Sequence, residues 1–145
     1  MEKYLLDTVS WIEYFKNRSG VAEHVDALPR NQLCASEVTV AELIYGAYNS
    51  KNFEKHYREA EWLRRNIEIF PISEIFDDYG EIRFATKHKG NPIGQFDLLI
   101  GATARHYGLT IVTDNLKDFE PMPGVKVVNW SCVSKRSFPA TLNND

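Results

Sequence analysis

At 145 residues with 43% hydrophobic content, the chain has the size of one compact domain and leaves no comfortable room for a second. Its 17 Lys and Arg against 20 Asp and Glu give a net charge of −3, which excludes a globally basic nucleic-acid binder; a polyanionic ligand would require locally clustered cations. No apolar run approaches the roughly 18 residues that span a bilayer, and the start MEKYLLDTV lacks a basic region followed by a long apolar stretch, so a cytoplasmic protein is expected.

Lys3 to Leu6 reads as a short buried strand, followed after Asp7 by a helix over Ser10 to Asn17 with Trp11, Ile12, Tyr14 and Phe15 at helical spacing. Ser19 is placed to cap a second helix carrying Val21, Val25 and Leu28 on one stripe, which Pro29 and Asn31 stop. Leu33 to Ala35 is the second strand, and Thr39 to Ala47 is a helix with Val40, Leu43, Ile44 and Ala47 on one side and Glu42 on the other. Phe53 to Asn66 is amphipathic, with Phe53, Tyr57, Ala60 and Leu63 expected to face inward.

Ile67 to Phe70 is a short β-rich run closed by Pro71. Ser73 is placed to cap a helix to about Lys87 with Ile75, Tyr79, Ile82 and Ala85 inside. KHKGNPIG is a loop, and Gln95 to Tyr107, apolar almost all round, is a helix packed on several sides with Gly108 as its left-handed terminator. Leu109 to Thr113 is a central strand, Asp114 to Phe119 a turn, and Val125 to Val128 a last strand. This alternation predicts a doubly wound α/β sheet. The polar tail from Ser131 to Asp145 has no periodicity and is expected to be an ordered wrap or disordered.

Cys34 and Cys132 form no C-x-x-C pair and are read as reduced and structural. The four histidines are scattered without i, i+4 pairing, which argues against zinc.

The acids are the informative feature. Each has a local explanation: Asp7 as a helix cap, Asp97 as a first-turn acid complementing the helix dipole, Glu42 as the end of a T-x-x-E capping box from Thr39, and Asp114-Asn115 as turn chemistry. Jointly these explanations weaken. Asp7 and Asp114 directly follow strands, where the ligand crevice of an open parallel sheet lies, and Glu42 and Asp97 start helices beside them. Asp97 is a lone carboxylate in a segment otherwise built for burial and needs a partner. Gathered carboxylates repel and raise one another's pKa values, so they imply a cation, and oxygen donors alone favour Mg²⁺ or Mn²⁺. The chemistry that follows is phosphodiester hydrolysis, with Asp7 and Asp97 as direct metal ligands and Glu42 as a ligand through water or the base that orients the attacking water.

LLDT at Leu5 to Thr8, VTVAELIYGA from Val38, PIGQFDLLIGATARHYGLTIVT from Pro92 and the ending F-x-x-M-P-G-V-K-V-V-N-W at Phe119 to Trp130 resemble the PIN-domain ribonucleases, more narrowly the VapC-type toxins of toxin–antitoxin modules. The resemblance implies a PIN domain over residues 1–130 followed by a C-terminal tail at 131–145, with a parallel sheet of strand order 3-2-1-4-5 and acids at its carboxyl edge. It implies a Mg²⁺- or Mn²⁺-dependent endoribonuclease whose first three catalytic acids are Asp7, Glu42 and Asp97. The fourth falls in the column of Asn115, so that its charge is supplied by Asp114 or Asp118 or is absent; Thr113 and Asn115 are placed to position water. Val9 stands where the family usually has Asn. The resemblance further implies an RNA substrate, a homodimer, and a small VapB-like antitoxin that blocks the acidic crevice in a toxin–antitoxin hetero-oligomer. Helix-in-groove docking of that antitoxin is expected on the first helix and the TVAELIYGAY helix.

Lys16, Arg18, Lys51, Lys87 and Lys89 are the cations expected to hold RNA at the rim, each more often an ordinary solvated charge. Trp11, Tyr14 and Tyr45 are expected to pack in the core rather than stack on bases. A receiver domain lacks its acid after strand three and Lys after strand five, a D-x-D phosphatase is excluded by Thr8-Val9 after Asp7, and no Walker or Rossmann glycine motif is present. The rival from another class is a PIN-like module that binds RNA or protein without cleaving, favoured by the amide at Asn115.

Overall fold

The structure, a computed structural model, describes residues 1–131 apart from Ser19, Lys89 and Asn91. The expected tail beyond Ser131, and Cys132 within it, lie outside the described residues. Five strands, β1 (Tyr4–Leu6), β2 (Leu33–Ser36), β3 (Glu68–Phe70), β4 (Thr110–Val112) and β5 (Lys126–Val128), form one sheet in the order β3-β2-β1-β4-β5. Every pairing is parallel, so all strands point their carboxyl ends to one edge. The strand order and architecture match the expectation from sequence.

The helices are α1 (Thr8–Phe15), α2 (Val21–Ala27), α3 (Glu37–Tyr48), α4 (Phe53–Asn66), α5 (Phe76–Thr86), α6 (Gln95–Tyr107) and the short α7 (Leu116–Phe119). Their two covered sheet faces follow from the period-two alternation of side chains along a strand. Leu5, Cys34 and Ile111, which are in register across β1, β2 and β4, enter one apolar cluster with Ile75, Ile82, Leu98 and Ile100 from α5 and α6. Their neighbours Leu6, Leu33, Ala35 and Val112 enter the other, with Trp11, Val21, Val25 and Leu63 from α1, α2 and α4. Central strands buried on both faces read as continuous apolar runs, as YLL and TIV do. Cys34 lies fully inside, and burial pushes its thiol up to about 12, which suits the structural role expected of it.

Helix boundaries depart from expectation where a different residue supplies the cap. Asp7 itself caps α1 by accepting from the Ser10 N–H, so the helix begins at Thr8. It ends before Asn17, whose φ of 55° no helix can continue. Gly20 occupies the cap position of α2, the expected cap Ser19 lying outside the described residues, and Ile75, not Ser73, occupies that of α5. On α5 the buried stripe runs through Ile82 to Thr86, four residues on, and leaves Ala85 exposed. Asn52 caps α4 through the Lys55 N–H, and Phe53 at its first turn is exposed rather than inward. Gly108 adopts φ 69° and closes α6 as expected.

Helix α6 is the most deeply packed, with Leu98, Ile100, Gly101, Ala102, Thr103 and Ala104 all buried. Arg105 near its end hydrogen-bonds Asp78 of α5 at 2.8 Å and pairs with Glu81, fastening the two helices. Among the described residues no helix is long and apolar enough to cross a membrane. At Gly101 an added Cβ would collide with the sulfur of buried Met122. Gly101→Ala is expected to destabilise the fold by about 1–3 kcal/mol through overpacking, measured by urea unfolding; unchanged stability would show that Met122 can swing aside.

Candidate active site

Each acid is delivered to the carboxyl edge by a different element. Asp7 is the first residue past β1, and its N–H still donates to the Val112 carbonyl at 3.1 Å, extending the sheet by one residue. Its side chain is 4% exposed. Burial pushes its carboxyl above the usual range and the Asp114 charge adds to this, while hydrogen bonds from Thr113 and from Ser10 hold it down; burial prevails. The cap explanation for Asp7 holds, and it does not compete with a position at the crevice. One carboxylate starts the helix and sits at the crevice.

Glu42 is not part of a capping box. Ser36 caps α3, accepting from the Val38 N–H at 3.0 Å, which places Thr39 inside the first turn and Glu42 in the second. A glutamate there cannot reach the helix's first N–H groups. Instead Glu42 Oε1 accepts from the Thr8 hydroxyl at 2.5 Å, at the short limit for a hydroxyl bound to a carboxylate. Asp97 lies in the first turn of α6, half-buried. Burial and then the charges of Asp7, Glu42 and Asp118 push its carboxyl up to about 6. Asp97 thus stands within electrostatic reach of three other acids from three different elements.

The candidates for the fourth position differ in their surroundings. Asp118, on α7, is the acid that acts on Asp97, and Asn115 donates through Nδ2 to its Oδ2 at 2.9 Å. Asn115 also donates its backbone N–H to Thr113 Oγ1 at 2.9 Å, which places that amide between the Asp7 partner and Asp118. Asp114 is exposed and lines a recess with Val9, Glu13 and Asn129. It reaches Asp7 electrostatically but is not among the charges acting on Asp97.

The remaining expected residues divide. Lys16 lines a cavity of about 240 Å³ between α1, α3 and α4, which Glu42 also lines together with Ile12, Phe15 and Leu43. Lys55 and His56 line the same cavity and give no signal in the sequence, because on an amphipathic helix they read as solvated charges. Arg18 is half-buried, Lys51 is exposed, and exposed Lys87 rests its Nζ 4.3 Å from the centre of the Phe84 ring. Lys89 lies outside the described residues. Trp11 is buried with Nε1 donating to the Cys34 carbonyl at 3.3 Å, and Tyr14 packs against Trp11, Phe15 and Trp62. Tyr45 is 67% exposed, against the expectation that it packs in the core: Ala47 and Val38 take the inner side of α3.

Among the described residues no three Asp, Glu, His or Cys side chains form a group that would hold a metal ion unaided. Mg²⁺ characteristically keeps several waters and binds through one or two carboxylates, so an all-oxygen set of mutually repelling acids fits a partly hydrated hard ion rather than a caged one.

An open parallel sheet with acids converging beyond its strand ends defines a doubly wound α/β domain with a carboxylate site at the carboxyl edge. The PIN domain family model matches residues 4–123, and the chain belongs to that family. It is 33% identical over 131 residues to the tRNA(fMet)-specific endonuclease VapC of Salmonella typhimurium, covering 90% of this chain and 99% of the relative. To ribonuclease VapC1 of Haemophilus influenzae it is 35% identical over 131 residues, covering 88% of this chain and 98% of the relative. The crystal structure of DNA-bound VapBC from Salmonella typhimurium superimposes with a TM-score of 0.80 at 32% identity, covering 90% of this chain and 99% of that one.

A carboxyl raised from 3.8 to about 6 binds a proton in the folded chain that the unfolded chain has already lost. Without metal, stability therefore falls as pH rises through that window and stays lowered above it. In EDTA, Asp97→Asn is expected to melt at a higher temperature than wild type at pH 7.5, with the gap closing as pH falls from 6 toward 4. Calorimetric scans across that range check it; a lower-melting variant at pH 7.5 would contradict the repulsion.

Proposed function

We propose that this chain is a metal-dependent endoribonuclease acting as the toxin of a toxin–antitoxin pair in the cytoplasm. The observation that carries the reading is that an all-parallel sheet delivers Asp7 from the end of β1, Glu42 from α3, Asp97 from the first turn of α6 and Asp118 from α7 toward one edge; the raised Asp97 carboxyl supports it. The names of its relatives, an endonuclease specific for a tRNA and a ribonuclease, support RNA as the substrate.

Asp7 and Asp97 are the residues that would hold Mg²⁺ or Mn²⁺, which when bound would supply a water of lowered pKa and neutralise charge on the phosphate. The chain's own groups do the positioning. Thr113 and the α1 N-terminus donate to the Asp7 carboxylate and hold it in place at the crevice. Glu42 takes a proton from the attacking water or orients it through one oxygen. Asp118, steered by Asn115, adds the fourth carboxylate. The amide at Asn115 therefore leaves the cluster an acid, which favours cleavage over a binding-only module.

The similar structure from Salmonella typhimurium is of VapBC, which supports a VapB-like antitoxin as the partner of this chain. The cavity where Ile12, Phe15 and Leu43 adjoin Glu42 is the groove in which an antitoxin helix docks, closing the site from its α1 side. Exposed Phe76 and Phe84 on α5 offer apolar area for a homodimer.

With Mg²⁺ or Mn²⁺ and structured RNA, wild type is expected to cleave while Asp7→Asn and Asp97→Asn lose at least roughly 100-fold in rate. Equal RNA loss in all three would mark contamination and end the catalytic reading. Mn²⁺ at about 100 times its Kd should stabilise the fold by about 2.7 kcal/mol, and the Asp97→Asn variant should lose that gain in thermal melts.

A further inference from the structure

Two threonines outside the acid set converge on Glu42. Thr8, the first residue of α1, places Oγ1 2.5 Å from Glu42 Oε1, and Thr39 of α3 places its own Oγ1 3.0 Å from that of Thr8. Thr39 is completely buried, whereas Glu42 one turn further along α3 is half-buried. The direction of both bonds follows from proton counting. An ionised carboxylate only accepts, so Thr8 spends its single hydroxyl proton on Glu42. Thr8 then has only lone pairs left for Thr39, and the Thr39 hydroxyl donates to it. The order is Thr39 to Thr8 to Glu42.

We infer that Thr8 and Thr39 are positioning residues for Glu42: a hydroxyl relay, buried at Thr39 and half-buried at Thr8, that holds one carboxylate oxygen and leaves the other outside the relay. The inference rests on the ribonuclease reading for its catalytic consequence, though not for its geometry. A glutamate has three rotatable side-chain bonds, and nothing on α3 itself restrains one in the second turn. The donor must come from another helix, and α1 supplies it from the residue next to Asp7. The relay ties the turn that presents Asp7 to the helix that presents Glu42, so the two acids keep their separation. Its far end, Thr39, sits at i−3 from Glu42 on the same helix, so the relay leaves α3, passes through Thr8 of α1 and returns to α3. Each relayed bond polarises the next, which strengthens the Thr8 bond to the carboxylate.

Isosteric replacement separates the hydroxyls from their volume. Thr8→Val is expected to lower kcat on RNA by roughly 10- to 100-fold, the size of one lost hydrogen bond to a charged group, with KM within about twofold. Thr8→Ser, which keeps the donor, is expected to stay within about threefold of wild type. Thr39→Val should lose roughly three- to tenfold in kcat, and Thr39→Ser should restore it. Valine variants that turn over like wild type, or serine variants as slow as valine ones, would overturn the relay. Asp97→Asn run beside them keeps the two ideas apart: cleavage that persists there removes the ribonuclease reading and leaves the geometry to be judged by stability. For that, the Thr8→Val and Thr39→Val singles and their double are melted without metal. Bonded hydroxyls predict a double variant whose loss in Tm is smaller than the sum of the singles; strict additivity would overturn the relay whatever the activity.

Discussion

The interaction on which the rest depends is the desolvated carboxylate of Asp7. It sits at the end of the central strand, nearly sealed from water, and its ionised form is opposed by burial and by a neighbouring acid. A charge in that position is tolerable only if its lone pairs are occupied. The donors come from two directions: the backbone at the start of α1 and the Thr113 hydroxyl just past β4. The residue therefore joins the helix start, the neighbouring strand and the crevice in one set of bonds. The other acids are arranged around a group that is already under electrostatic strain, which is why Asp97 feels it.

Parallel pairing explains how four elements deliver acids to one place. Because all five strands run the same way, each strand end and each following helix start lies on the same edge. Asp7 comes from the β1 end, Glu42 from the helix after β2, Asp97 from the helix preceding β4, and Asp118 from the short helix after β4. The two apolar clusters on either face hold those helices without contributing polar groups themselves. Chemistry is confined to the edge and cohesion to the faces, so the acids' mutual repulsion is borne by packing elsewhere.

Much of this is legible in the sequence, for identifiable reasons. The doubly wound α/β class follows from alternation while the strand order comes only with the family resemblance, and α6 is readable because its run from Gln95 to Tyr107 is apolar on nearly every side, ending at a glycine that adopts positive φ. Asp97 stands out as the one charge early in that run. Glu42 is harder. Thr39 and Glu42 have the spacing of a capping box, and only the structure reveals that Ser36 caps the helix one turn earlier. Tyr45 defeats the pattern because an aromatic at helical spacing fits either side of a helix with weak amphipathicity, and small Ala47 proves to be the buried residue. The different surroundings of Asp118 and Asp114 depend on the short helix α7, which reads as a turn in the sequence and places Asp118 where Asn115 Nδ2 donates to it. Hydroxyls such as Thr8 carry no periodic signal and become visible only when their partners are near.

The strands are three or four residues long, and that brevity has a consequence for how the protein comes into being. In β1, Leu5 faces one cluster, Leu6 the other, and the next position carries the carboxylate. A one-residue slip would exchange the two leucines between faces and turn the acid away from the crevice. No partly paired sheet can keep the leucines correct and the acid wrong, or the reverse. Assembly of the acidic centre and consolidation of the interior are a single event, and a chain in which one has failed carries neither.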